Sequence, residues 1–168
     1  MFVPFSQLPP EARVWIFQSD RPFSAAACEG IQSRLKAFTD EWAVHGIPMN
    51  TSFQILHDHF IVLAADETQQ AASGCSIDSS VRVLKEIEQT FGVNLFERTN
   101  VAFSTGGSVQ LFPLASMKEK FASGVLNEES LTFNNLVNTK ADLEARWLVR
   151  AGDTWLRRYL PKPLEKAQ

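Results

Sequence analysis

The chain has 168 residues, of which 45% are apolar, and thirteen are phenylalanines. This composition excludes a disordered chain and is sufficient for one domain with a sizeable core. The net charge of only −3 argues against a general nucleic-acid binder. The two cysteines and three histidines lack zinc-finger spacing, so we predict no metal site and no cofactor.

The start of the chain, MFVPFSQLPPEARVW, lacks the basic segment and apolar run of a signal peptide. No stretch approaches the roughly eighteen apolar residues that a membrane span needs. We therefore predict a cytoplasmic protein with reduced thiols and no membrane association.

Charge is distributed unevenly along the chain. From Arg146 onward there are six basic and two acidic residues, whereas the first 145 residues hold ten basic and seventeen acidic ones. A basic tail of +4 on an acidic body of −7 can fold back, contact a second subunit or bind an acidic ligand. A homodimer and an acidic or protein partner for the tail are therefore open alternatives.

The first predicted elements are a strand and an amphipathic helix. Residues 12–19 (ARVWIFQS) are rich in strand-forming side chains. Ser24 is then a candidate helix N-cap, and His45 and Gly46 are expected to end the helix. Between them, apolar residues recur with the 3–4 spacing of one helical face: Cys28, Ile31, Leu35, Phe38 and Trp42.

Two strands, a second helix and a hairpin follow. Residues 50–57 and 59–66 predict strands joined by a turn near Asp58. Residues 100–114 predict a hairpin that turns at Gly106–Gly107. The second helix, which lies between residues 59–66 and the hairpin, is expected to end at Gly92. Its predicted apolar face consists of Ile77, Val81, Leu84, Ile87 and Phe91.

The order β-α-β-β-α-β is that of a ferredoxin-like split β-α-β sandwich, an α+β fold with an antiparallel sheet and helices on one face. Residues 115–124 and 138–148 predict further helices, the second capped by Asn138 or Thr139, and residues 130–137 predict a strand. We therefore predict a single domain over 1–168, with an α+β body over 12–114. Residues 115–168 then form a packed, mainly helical C-terminal extension that carries the basic tail.

Several polar motifs have both a functional and a structural interpretation. His57 and His59 could share a metal with Asp66 or Glu67, but a polar turn explains them more simply. The pair Asn134 and Asn135 could satisfy backbone groups or line a cleft, and the first role is commoner. Two tryptophans near arginines, Trp147 and Trp155, predict either a basic stacking patch or apolar anchors of the chain end.

The segment ASGCSIDSS contains the strongest candidate site. Cys75 precedes a predicted helix start, where unpaired N–H groups and the helix dipole would stabilise a thiolate. Cys75 and Asp78 are therefore the candidate catalytic residues. The candidate ligand-binding set is Gly74, Cys75, Ser76, Asp78 and Ser79, with Ser76 as the predicted helix cap. The alternative is an ordinary helix start with a packed cysteine, whereas Cys28 is expected in the core.

Three segments, ARVWIFQSDRPF, ASGCSIDSSVRVLKEIEQTFGV and LTFNNLVNTKADLEARW, resemble a small uncharacterised bacterial family commonly labelled "ABC transporter ATPase". The resemblance implies a bacterial, cytoplasmic, single-domain protein and assigns no site residue. The residues do not support the label. No glycine is followed by lysine, so the phosphate-binding P-loop is missing.

Two functions from different classes fit these observations. The first is a non-enzymatic binding or interaction module, favoured because no complete catalytic constellation is present. The alternative is a cysteine-dependent enzyme or redox protein that uses Cys75. The first predicts a partner, and the second predicts an accessible, acidic thiol.

Overall fold

The computed structural model describes residues 1–162, and the chain forms two compact units. Unit 1 comprises Met1–Glu97 and Asn135–Arg146, and unit 2 comprises Arg98–Asn134 and Trp147–Gln168. Tail residues Glu165 and Lys166 lie outside the described residues. The interpretation of 1–168 as a single domain stays a prediction.

The helices and strands follow one another in a mixed order along the chain. They are β1 (Arg13–Gln18), α1 (Ala25–Glu41), β2 (Ala43–Val44), β3 (Ile47–Pro48), β4 (Thr51–Leu56), β5 (Phe60–Ala65), α2 (Gly74–Phe91), β6 (Asn100–Thr105), β7 (Ser108–Pro113), α3 (Met117–Ala122), β8 (Leu131–Phe133), α4 (Lys140–Arg146) and β9 (Leu148–Arg150). Short 3-10 helices span Phe5–Gln7, Leu114–Ser116, Ala151–Asp153 and Trp155–Tyr159.

The main sheet of unit 1 is antiparallel, with the order β1-β5-β4. Every residue of β5 is buried, because this strand lies in the centre of the sheet. Leu63 lies opposite Trp15 on β1 and Phe53 on β4. The side chains of this face pack with those of α1 and α2 into one core, which includes Ile31, Leu35, Ile61, Leu63, Leu84 and Ile87.

The start of α1 is as predicted, and its end is not. Ser24 caps the helix, because its Oγ accepts the Ala27 N–H at 3.1 Å. The helix ends at Glu41, where the buried Trp42 takes an extended conformation. His45 and Gly46, expected to end it, form the turn between β2 and β3 with φ of 49° and 76°. Two successive positive φ values are what a two-residue hairpin turn requires.

The second helix also differs from its prediction at one end. Gly92 has φ 65° and its N–H bonds to the Glu88 carbonyl, so the predicted C-terminal glycine is confirmed. Ile77, expected on the buried face, is exposed, because the helix is rotated so that Ser76 and Ser80 face the core in its first turns. The buried residues of α2 are Ser76, Ser80, Val83, Leu84 and Ile87.

Unit 2 contains an antiparallel sheet with the order β7-β6-β8-β9. Gly106 and Gly107 form the β6–β7 turn with φ of 57° and 84°, as predicted. One face of this sheet packs on α3 and the final 3-10 helices. The buried residues of this core are Phe103, Phe112, Met117, Phe121, Leu126, Ala151 and Leu156.

The α+β class is confirmed, but the ferredoxin-like topology is not. Three of the four strands that this topology requires, and both of its helices, lie in unit 1. The fourth predicted strand, β6, instead pairs with β7 and β8 in the unit 2 sheet. Backbone from the α4 segment occupies the edge of β1: the Val14 N–H donates to the Asn138 carbonyl at 3.0 Å, and Arg13 bridges Thr139. A strand there would compete for the same backbone groups.

The mainly helical C-terminal extension is not confirmed either. Within 115–162 the chain contributes β8 and β9 to the unit 2 sheet, and its helices α3 and α4 have only six and seven residues. Thr139 accepts the Asp142 N–H at 3.1 Å and so caps α4. None of the described helices has the length and apolarity to cross a membrane.

Candidate functional site

The helices α1 and α2 of unit 1 lie side by side in opposite directions. At one end the Trp42 indole N–H donates to the Ser76 carbonyl at 2.9 Å, a buried bond that joins the end of α1 to the start of α2. At the other end Gly30 of α1 packs against the ring of Phe91 of α2. A Cβ at position 30 would lie 2.5 Å from the nearest ring carbon. The missing side chain therefore allows the helices to approach closely at this end.

A groove between these helices opens into two adjacent cavities. The larger has a volume of about 480 Å³ and the smaller about 310 Å³. The larger volume is in the range of small-molecule sites. The larger cavity is lined by Arg34, Ala37, Phe38, Glu41, Trp42, Ala43, Ser79, Arg82, Val83 and Glu86. We call this surface the α1–α2 groove.

The charges of the groove are only partly paired with one another. Arg34 of α1 forms an ion pair with Glu86 of α2, and both line both cavities. Glu41 and Arg82 form no ion pair within residues 1–162. Because Phe38 is half-buried beside them, the groove offers one cation, one anion and an apolar surface together.

The predicted Cys75 site lies at the start of α2 but is arranged differently. Ser73 is the N-cap, since its Oγ accepts the Ser76 N–H at 3.2 Å. Gly74 and Cys75 therefore belong to the first helical turn and do not precede it. Ser76, the predicted cap, is buried, and its hydroxyl donates to the Ser73 carbonyl at 2.8 Å. The cap shifted because Ser73 supplies the same side-chain acceptor one turn earlier.

The remaining members of that set do not converge on one point. The Ser79 hydroxyl donates to the Cys75 carbonyl at 2.9 Å, so it serves the helix backbone. The side chains of Cys75 and Asp78 are exposed. Ser79 is the one member of the set that lines the α1–α2 groove. The roles predicted for Cys75 and Asp78 stay predictions.

The other cysteine, Cys28, lies on α1 and contacts the turn between β4 and β5. Cys28, expected in the core, is half-buried, and its Sγ lies 3.6 Å from Asp58 Oδ1. Burial and the neighbouring carboxylate raise the pKa of this thiol. His57 and Asp58 both have φ of 54°, and His59 Nδ1 lies 3.2 Å from the His57 carbonyl oxygen. Within the described residues no three His, Cys, Asp or Glu side chains are grouped to hold a metal.

The asparagine and tryptophan motifs separate into different environments. Asn135 Nδ2 donates to Gln18 Oε1 at 3.0 Å in unit 1. In unit 2 the Asn134 N–H donates to the Trp147 carbonyl at 2.6 Å. Trp147 is buried, as an apolar anchor would be, whereas Trp155 is 44% exposed. The burial of Trp147 therefore fits an apolar anchor, and the exposure of Trp155 fits a stacking patch.

Sequence reasoning named Phe38 and Ser79 but missed the groove, because it assigned no role to the charged residues of α1 and α2. The signal was nevertheless present in the spacing. Arg34, Phe38 and Glu41 recur on α1, and Ser79, Arg82 and Glu86 recur on α2, each at helical intervals. That these two stripes face each other depends on the packing of unit 1.

The chain matches no protein-family model, no curated protein and no solved structure.

Proposed function

We propose that this protein is a non-enzymatic binding module, not a P-loop ATPase, and that the α1–α2 groove binds a segment of a partner polypeptide. The proposal depends on one observation: an apolar surface lies beside two charged side chains, Glu41 and Arg82, in the same groove. Neither of these side chains has an ion-pair partner in residues 1–162. A bound polypeptide supplies apolar, acidic and basic side chains at short intervals, so it can meet all three.

The groove indicates which side chains the segment should carry. Trp42 and Val83 are buried in its floor, and Phe38 is half-buried, so one apolar side chain of the ligand would contact Phe38. A carboxylate would pair with Arg82, because an arginine binds a carboxylate through two parallel hydrogen bonds. A basic residue would meet Glu41.

Selection from a random peptide library tests this proposal. We expect selected peptides to contain an apolar residue next to Asp or Glu, and to bind at least about tenfold more weakly to Arg82→Glu. Lys85→Glu is the charge-matched control, because Lys85 lies three residues away on α2 and does not line the groove. Titration calorimetry measures both affinities.

The opposite result would be peptides that bind equally well to wild type, Arg82→Glu and Phe38→Ala. Such peptides bind elsewhere, and the groove would then be only a consequence of helix packing. Thermal unfolding of each variant shows whether a loss of binding reflects a loss of folding.

Cysteine-dependent chemistry is the second candidate function. It is favoured by one observation: the Cys75 thiol is exposed in the first turn of α2, where the helix dipole favours negative charge. Cys75→Ser should abolish such an activity and leave the melting temperature unchanged. Cys28→Ser is the control, and an activity that survives Cys75→Ser would eliminate this function.

We also propose a ferredoxin-like relationship for unit 1 and membership in the bacterial, cytoplasmic family named above. The strand order β1-β5-β4, with α1 and α2 on one face, supports the first, since these are the first five elements of a split β-α-β sandwich. A homodimer belongs to the same proposal, and sedimentation equilibrium tests it.

A further inference from the structure

The last 3-10 helix of unit 2 exposes aromatic and basic side chains together. Trp155 is 44% exposed, its ring centroid lies 6.2 Å from that of Tyr159, and the Arg158 guanidinium lies 5.8 Å from the centroid of Trp155. Arg157, Arg158 and Lys162 are exposed, and Tyr159 is half-buried against the unit 2 core. We call these five residues the Trp155 surface.

The backbone below this surface is held firmly. Leu156 is 1% exposed and belongs to the unit 2 core. The Thr154 hydroxyl accepts the Leu156 N–H at 3.2 Å and donates to the Ala151 carbonyl at 2.9 Å. Buried Leu156 and the Thr154 cap therefore fix the backbone at Trp155. The ring is held in its exposed position before a partner binds, so little order has to be gained on binding.

The cations of the Trp155 surface have no acidic partner within residues 1–162. The nearby carboxylates of Glu129 and Asp153 pair with Arg150 instead. Arg157, Arg158 and Lys162 form no ion pair in the described part of the chain. Over its full range unit 2 has eight basic and five acidic residues, whereas unit 1 has eight basic and fourteen acidic ones.

We propose that the Trp155 surface binds an acidic segment of a partner protein, at a site separate from the α1–α2 groove. Tryptophan, tyrosine and arginine are the residues that contribute most at protein interfaces, and here all three lie on one short helix. Because these cations pair with no carboxylate in the described part of the chain, they specify acidic side chains in the partner. A long polyanion such as a nucleic acid fits less well, because the chain as a whole has a net charge of −3.

Indole N–H signals in the NMR spectrum of the full-length protein test this proposal directly. The chain has four tryptophans, and Trp155→Phe identifies the signal of Trp155. The probe is a glutamate-rich peptide with one central leucine, compared with the same peptide carrying glutamine in place of glutamate. We expect the acidic peptide to shift the Trp155 signal alone, the neutral peptide to shift none, and added salt to weaken the effect.

Substitutions then locate the contact. Trp155→Ala should weaken binding at least about tenfold, and Arg157→Glu by about fivefold or more. Arg98→Glu makes the same charge change on an exposed residue of unit 2 outside the Trp155 surface, and it should bind like wild type. Arg157→Glu retains the aromatic contacts, so it stays informative if Trp155→Ala lowers stability.

Three results would each overturn the proposal. They are no shift of the Trp155 signal with the acidic peptide, equal binding by Arg157→Glu and wild type, and tighter binding of a single-stranded oligonucleotide than of the acidic peptide. The last result would assign the same surface to a nucleic acid.

Discussion

The thiol of Cys28 on α1 lies 3.6 Å from Oδ1 of Asp58 in the β4–β5 turn. The same turn is tied to the start of α1 through the backbone, because the Phe23 N–H donates to the Asp58 carbonyl at 2.7 Å. Asp58 is therefore held in place, and its carboxylate faces a thiol that is itself partly removed from water.

Alkylation of the native protein should distinguish the two cysteines. Burial, the hydrogen bond to Asp58 and the charge of that carboxylate all raise the pKa of Cys28, so its thiolate fraction at pH 8 is low. We expect exposed Cys75 to react first, and Asp58→Asn to speed up Cys28 by lowering its pKa. Mass spectrometry of each site over a pH series measures both rates. A Cys28 rate unchanged by Asp58→Asn would contradict the contact.

The same pKa shift has a consequence for stability. The thiol has a higher pKa in the folded than in the unfolded protein, where the pKa is about 8.5. Its contribution to stability is therefore complete at pH values below about 8.5. This contribution is lost as pH rises through the folded pKa. We expect the free energy of unfolding to fall above about pH 8.5, and to fall less in Cys28→Ser. Urea denaturation at several pH values tests this, and parallel curves for the two proteins would count against it.

Two adjacent residues of β4 form a matched pair for a test of buried hydroxyls. Ser52 is fully buried, and within the described residues its Oγ is the one buried side-chain polar atom without a hydrogen bond. Thr51 is equally buried, but its hydroxyl donates to the Thr39 carbonyl at 2.6 Å. That carbonyl lies in the last turn of α1 and has no partner along the helix.

We expect Ser52→Ala to stabilise unit 1 by up to about 1 kcal/mol, because an unpaired hydroxyl is removed from the core. Thr51→Val should instead destabilise it by about 1–3 kcal/mol, because it leaves the Thr39 carbonyl without a donor. Denaturant unfolding gives both values. If Ser52→Ala destabilises the protein as much as Thr51→Val does, the Ser52 hydroxyl forms a hydrogen bond in the folded protein and the expectation is wrong.

Local signals in the sequence were enough for most elements of the fold. The Ser24 cap, the Gly92 helix end and the Gly106–Gly107 turn each depend on a few neighbouring residues. The pairing of β6 with β8 could not be predicted in the same way. It depends on contacts distant in sequence, and Asn138 already occupies the edge of β1, where the predicted topology would place β6.

In the candidate site, too, the local sequence predicted some residues, whereas others depend on how the helices pack. The sequence placed Ser79 in a possible ligand-binding helix turn, and Ser79 lines the groove. It did not indicate Arg82 or Glu41, because these residues become a site only when α1 and α2 lie beside each other. Ser73 was missed as the cap because Ser76 offered an equally suitable side chain.

Lys140 is a buried cation with a structural role in unit 1. Its side chain is 10% exposed, and its Nζ donates to the carbonyls of Leu8 at 2.8 Å and Ser6 at 3.3 Å. Lys140→Met keeps the length of the side chain but removes both donors, so we expect a loss of about 1–3 kcal/mol. Hydrogen exchange should show reduced protection in residues 1–12. Lys118→Met is the control and should change neither quantity, because Lys118 is exposed and forms no ion pair within residues 1–162.

Gly30 tests how closely α1 and α2 approach. Alanine there would favour the helix by about 1 kcal/mol, because glycine is the poorer helix former. Its Cβ would lie 2.5 Å from the Phe91 ring, however, so the ring must move and packing is lost. We expect Gly30→Ala to be net destabilising by about 1 kcal/mol, since overpacking typically costs about 1–3 kcal/mol.

A double-mutant cycle separates these two effects of Gly30→Ala. In a Phe91→Ala background the ring is absent, so only the helix preference remains, and the same substitution should stabilise the protein by about 1 kcal/mol. The change of sign between the two backgrounds, measured by denaturant unfolding, reports the contact itself. If Gly30→Ala stabilises both backgrounds equally, Phe91 does not pack against Gly30, and the helices are farther apart at this end of the groove.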